Sequence, residues 1–186
     1  EMWWTMRGEV IDRFPQPLTD SGTPDSYLAQ IEESYVMDAY HSLSIEGYRV
    51  TPELIERVRE GRWDPEGDPA DQQSRDALAA RGYHLAFQEV KASVARVLAG
   101  DVAGDVADHD HQGWYRALFG PGVDAGLVRP TDLAGYRREP VYIAGSRYVP
   151  PRHQAVGEMM RTLFDLLREE ENGPARVVLG HFAFVN

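Results

Sequence analysis

The sequence predicts a mainly α-helical domain carrying one β-hairpin, and three observations predict it. Apolar residues recur at three- and four-residue spacing in successive stretches between Tyr35 and Leu167. Threonine, proline and glycine stand where those stretches begin and stop, as helix caps require. Between Pro140 and Pro151 the period switches to two short β-prone runs around a small turn.

Bulk properties narrow the class further. A chain of 186 residues fits one domain, long enough to bury roughly 70% of the surface its unfolded form exposes. A hydrophobic content of 42% with 26% charged residues is ordinary for a soluble globular protein. The formal net charge of -11 argues against a nucleic-acid partner, since phosphate-backbone binding rests on clustered Lys and Arg. A local basic pocket for a nucleotide stays compatible with that charge. Cysteine is absent, so disulfides, thiolate metal sites and cysteine nucleophiles are excluded, and a reducing cytoplasm is the expected location. No apolar run approaches the ~20 residues that span a bilayer, and no basic-then-apolar leader opens the chain, so no membrane association is expected. The first residue is Glu1 rather than Met, and a trimmed or tagged start is expected.

From Glu1 to Ser34 the pattern is poor, with Pro15, Pro17, Gly22 and Pro24 as punctuation. Residues 1–30 are predicted to form an irregular N-terminal arm, followed by one domain over residues 31–186. Trp3 and Trp4 are expected to pack on the domain or on a neighbouring chain, because two indoles are costly to leave wet. The stretch Tyr35–Tyr48, Y-V-M-D-A-Y-H-S-L-S-I-E-G-Y, puts Val36, Ala39, Tyr40 and Leu43 on one helical face, with Asp38 and His41 off it. A glycine closes a helix cheaply in the left-handed conformation, so this helix is predicted to end at Gly47, with Glu46 the last residue before the cap. The C-terminal end of a helix carries partial negative charge, which disfavours a carboxylate there by a few tenths to ~1 kcal/mol unless a cation or donor faces it. Ser42, one turn earlier, is a candidate to hold that carboxylate or the last carbonyls. The plain reading of Glu46 is a solvated side chain at the end of a surface helix.

Thr51-Pro52-Glu53 is a helix start, with a capping hydroxyl, proline at the first helical position and acid in the first turn. Leu54, Ile55 and Val58 supply its apolar edge and Gly61 ends it. A loop with Trp63, Pro65, Gly67 and Pro69 follows. From about Asp71 to Leu98 a helix is predicted whose Leu78, Leu85, Ala86, Val90, Val94, Val97 and Leu98 face a core. Gly82 weakens it by about 1 kcal/mol relative to alanine, which points to close packing or a kink.

His109 and His111 stand among Asp105, Asp108 and Asp110. Residues two apart point to different sides of a helix, and the i, i+4 histidine pairing of a helical zinc site is missing. The stretch reads instead as a solvated helix N-terminus, where aspartates are favourable, and no metal site is assigned. A helix through Trp114, Tyr115, Leu118 and Phe119 then runs into Gly120-Pro121, and a short element precedes Pro130.

Val141-Tyr142-Ile143 and Arg147-Tyr148-Val149 flank Ala144-Gly145-Ser146 as a predicted hairpin. Two strands alone are marginal in water, so the hairpin must lie on helices or accept a third strand from a partner. A helix from about Gln154 to Glu171 presents Val156, Met159, Met160, Leu163, Phe164 and Leu167, and stops at Asn172-Gly173-Pro174. The final run, Ala175 to Asn186, is apolar on almost every side and reads as a buried central helix, after which the natural protein is expected to continue.

Together these pieces resemble a Fic (filamentation induced by cAMP) domain. Ser42, Glu46 and Gly47 stand as S-x-x-x-E-G, similar to the family's inhibitory helix, and P-V-Y-I-A-G-S-R-Y-V-P-P at Pro140–Pro151 is similar to its flap. L-G-H-F-A-F-V-N at the end resembles the segment leading into the catalytic H-P-F-x-[D/E]-G-N-G-R loop, a loop that this sequence does not contain. The resemblance implies a Fic-like helical bundle with one β-hairpin flap over residues 31–186, truncated before that loop. It implies a protein adenylyltransferase that moves AMP from ATP to a Ser, Thr or Tyr hydroxyl of a target protein. Ser42, Glu46 and Gly47 would then be regulatory, Glu46 meeting an arginine of the catalytic loop. Val141, Ile143, Gly145, Ser146 and Tyr148 would register the target by strand addition. ATP and Mg belong to the complete family domain, and this chain, with no catalytic residue of its own, is expected to bind neither well; His181 comes too early to be the loop histidine. The expected partners are a hydroxyl-bearing protein target and, as a further candidate, a second copy of the chain. The competing readings are a non-catalytic interaction module and an inactive fragment.

Overall fold

The computed structural model describes residues 2–15, 22–63 and 74–185, and every structural statement below is made of these. Seven α-helices stand among them: α1 (Met2–Arg13), α2 (Pro24–Ile45), α3 (Pro52–Arg59), α4 (Arg75–Leu98), α5 (Ala103–Asp124), α6 (His153–Glu169) and α7 (Gly173–Val185), with a 3₁₀ turn at Pro130–Leu133. The mainly α expectation stands. Pro17, the Pro65, Gly67 and Pro69 loop, and the expected helix start at Asp71 lie outside the described residues.

Two compact units share these elements. One is made of residues 22–100 and 110–135, the other of residues 1–21, 101–109 and 136–186. In the first, α2, α3 and α4 pack around Tyr35, Ala39, Leu43, Val50, Ile55, Val58 and Ala80. The caps explain the boundaries. Thr23 Oγ1 accepts the Ser26 N–H (3.2 Å) while Ser26 Oγ accepts the Thr23 N–H (2.8 Å), which starts α2 well before Tyr35. Thr51 Oγ1 accepts the Leu54 N–H at 3.2 Å and starts α3 at the expected proline.

The core face of α4 differs from the expected one. Leu78 is buried, but Val90 and Leu98 are more than a third exposed, and the residues turned inward are Ala77, Ala80, Gly82 and Ser93. Small residues let two backbones approach. A Cβ on Gly82 would stand 1.9 Å from the Leu118 carbonyl oxygen, so α5 lies directly on this glycine. The same interface is polar three turns further on, where Ser93 Oγ donates to Asp110 (2.6 Å) and accepts from Trp114 Nε1 (3.1 Å). α5 also continues through Pro121 to Asp124 rather than stopping before it.

In the second unit α7 packs against α1 and α6. Residues 2–13 are helical, not irregular: Trp3, Met6, Val10 and Ile11 pack against Leu163, Ala175 and Leu179. Trp3 is buried as expected, whereas Trp4 is 58% exposed. What holds α1 comes from the far end of the chain. The buried Glu170 carboxylate accepts both arms of Arg7 (2.8 and 2.9 Å), Trp3 Nε1 (3.2 Å) and the Asn172 N–H (2.9 Å). These donors, Arg7 first, hold its pKa down at about 2 against burial, which opposes them.

Three further expectations are corrected here. The aspartates of the 101–111 stretch are not merely solvated: Asp105, Asp108 and Asp165 all bind Arg168, and Asp110 binds Arg96. α7 is a helix but not a buried one, since only Ala175, Leu179 and Gly180 turn inward while Val177, Phe184 and Val185 are at least 60% exposed. His181 is exposed. The hairpin has no strands. Ser146 N–H donates to Ile143 C=O (3.1 Å) across Ala144-Gly145, and Gly145 has φ +73° while Ala144 keeps a negative φ. A turn with that sign pattern splays the chains it joins, unlike the primed turns that suit a hairpin.

Candidate functional site

The end of α2 is built by its glycine. Gly47, at φ +83°, donates to Ser44 C=O (3.0 Å), and Tyr48 N–H reaches back to Leu43 C=O (3.0 Å). Glu46 is the C-cap residue, its own N–H on Ser42 C=O at 3.3 Å, and its side chain is exposed. Ser42 does not hold that carboxylate. Its hydroxyl stands 3.3 Å from the phenol oxygen of Tyr83, whose O–H donates to Asp38 Oδ2 at 2.5 Å. Because the single phenol proton goes to the carboxylate, Ser42 is the donor of its pair. Burial, with the acceptor Asp38 second, pushes the Tyr83 phenol up to about 12, so it stays protonated at neutral pH.

α4 also grips the chain just past the cap. Asp76 Oδ1 accepts the Arg49 N–H (3.0 Å), and the Arg75 guanidinium lies 4.9 Å from the centre of the Tyr48 ring. Sequence reasoning missed Tyr83, Asp76 and Arg75. The legible signal was the i, i+4 pair of Asp38 and Ser42 beside the apolar face of α2, which asks for a polar partner on a neighbouring element.

The expected docking residues stand on one loop in the other unit. Val141, Ile143 and Tyr148 are 42–50% exposed and Tyr142 is 78% exposed. Ser146 Oγ accepts the Tyr148 N–H at 3.0 Å. Arg137 closes the base of this loop, donating to Glu139 C=O (3.1 Å) and to Pro151 C=O. Beside it a groove of about 600 Å³ is lined by Met2, Trp3, Met159, Met160, Leu163 and Phe184, with Arg137, Pro150 and Pro151. Ser42, Glu46 and Gly47 thus come together on one helix end, and Val141 to Tyr148 on one stapled loop.

No protein-family model and no solved structure matches the chain. Among the described residues no helix is long and apolar enough to cross a membrane.

Proposed function

We propose that this chain carries the inhibitory helix and target-docking loop of a Fic-type protein adenylyltransferase, a cytoplasmic enzyme moving AMP from ATP to a hydroxyl of a target protein. The observation that supports this reading best is the setting of Glu46. Its carboxylate is exposed at a glycine-capped helix end, where backbone carbonyls already concentrate negative charge and a cation is the favourable neighbour. An arginine of the H-P-F-x-[D/E]-G-N-G-R loop would be that cation, and pairing with it would keep the arginine from the ATP phosphates. The stapled loop over residues 139–151 is the docking element of this reading. Its apolar flanks are exposed, so a target segment or a second copy of the chain would supply the strand pairing that the loop does not make by itself.

Among the described residues no group of three or more His, Asp or Glu side chains is placed to hold a metal ion, and Asp105, Asp108 and Asp165 are engaged by Arg168. No catalytic residue is assigned within the chain, and no step through the nucleotide is derived from it.

The test is Glu46→Gly in a chain that also carries the catalytic loop. AMP transfer should rise, and unchanged transfer would remove Glu46 from regulation. The exposed apolar loop and α7 favour a second reading, a non-catalytic interaction module. An ATP-dependent thermal shift of that loop-bearing chain would speak against it.

A further inference from the structure

We propose that Tyr83 is the positioning residue of the α2 C-terminus: through Asp38 and Ser42 it fixes the last two turns of the helix and thereby where Glu46 is presented. The role given to Glu46 rests on the reading above; the contact does not. Asp38, Ser42 and Glu46 stand at i, i+4 and i+8, so they form one ridge winding slowly along α2. Tyr83 meets that ridge at its first two members, from a helix 41 to 45 residues further along the chain. Its ring is fixed in turn, 6.4 Å from the ring of the fully buried Tyr35.

α4 therefore holds the Gly47 turn from both sides. Tyr83 acts before the turn, through side chains, and Asp76 and Arg75 act after it, on the Arg49 N–H and the Tyr48 ring. The Glu46 side chain itself is left out of this grip. Its place in space is set by the backbone, so an incoming cation meets a carboxylate whose root is already ordered, and less entropy is lost on pairing. A phenol suits this task, since one oxygen serves as donor to a carboxylate and acceptor from a hydroxyl at once.

The experiment is residue-resolved amide hydrogen exchange on the 186-residue chain. Tyr83→Phe keeps the ring and its packing. It should speed exchange at the N–H groups of Glu46, Gly47 and Tyr48 about tenfold, the effect of losing one net hydrogen bond, with α7 unchanged. Ser42→Ala should act in the same direction, and Ser42→Thr, which restores a hydroxyl, should return exchange to the wild-type rate. Unchanged exchange at those three amides in Tyr83→Phe, or equal acceleration throughout α2 and α4, would overturn the proposal. Local acceleration combined with unaltered AMP transfer in Glu46→Gly would leave Tyr83 as the positioning residue and sink only the inhibitory reading.

Discussion

The unit built around Tyr35 and the unit built around Glu170 place their uncomfortable groups on opposite sides of their surfaces. In the first the apolar packing is deep: Tyr35, Ile55 and Val58 are fully buried, and Tyr35 touches the rings of Tyr83, His84 and Phe87. Apart from the exposed Ile45 and Leu127, its misfits are polar and inside. Tyr35 Oη, Glu56 Oε2, Trp63 Nε1 and His84 Nδ1 are buried without a hydrogen-bond partner among the described residues. In the second unit the buried polar group is fully served, since Glu170 has three kinds of donor, and the misfits are apolar and outside. Tyr142, Val149, Val177, Phe184 and Val185 are each at least 60% exposed. An interior orphan is a cost that pH and substitution act upon. An exposed apolar side chain carries little folding energy and is free to be covered by something else.

The largest expected effect lies in the deep unit. Gly82→Ala forces a methyl group into the Leu118 carbonyl, and a backbone atom cannot step aside as a side-chain tip can. We expect a loss of about 3 kcal/mol, the upper end of ordinary overpacking, measured by urea unfolding with probes in α4 and α5. A neutral outcome would mean that the two helices are not in backbone contact.

Acid should separate the two units more gently. Burial and the nearby Arg81 depress the His84 pKa below 6.5, so the fold prefers neutral imidazole and the unfolded chain binds the extra proton. Stability of the Tyr35 unit is therefore complete above pH 6.5 and falls as pH drops through 6.5 towards the folded value. Glu170 is depressed from 4.5 to about 2, so its contribution is complete above 4.5 and is lost between 4.5 and about 2. Residue-resolved exchange followed from pH 7 to pH 3 should show α2 and α4 loosening before α1. A common midpoint would break the comparison. The smallest effect should follow Phe184→Ser, within about 0.5 kcal/mol of wild type because that ring buries little; a larger loss in thermal unfolding would show that α7 is covered in solution.

Much of the helical layout was legible because it is written in local chemistry. Gly47 and Thr51 bound their helices where their conformational and hydrogen-bonding preferences say they must, and Gly82 marked a close approach. Faces were less legible than boundaries. The apolar stripe of α4 through Val90 and Leu98 is real in spacing, yet small residues and Ser93 won the interface because they admit α5. α1 was missed because its partner Glu170 stands 163 residues from Arg7, beyond the reach of any periodicity. The hairpin was overestimated from β-propensity, which measures fit to a pleated neighbour, and no such neighbour is present among the described residues. At the candidate site, Glu46 and Gly47 were readable, whereas Tyr83 depended on a tertiary contact that the sequence shows only as an unexplained pair of polar residues.

The Glu170 clasp sets an order of events during synthesis. Trp3 and Arg7 are made before the carboxylate they need, which follows 167 and 163 residues later. Residues 22–100 form most of the other unit in one unbroken stretch, so that unit assembles from near neighbours while α1 waits. Throughout that interval Trp3, Met6, Val10 and Ile11 lack Leu163, Ala175 and Leu179, the residues they pack against in the folded unit. A nascent chain stalled before residue 170 carries this face without the partners that cover it in the folded unit, so α1 is made long before the groups that protect it.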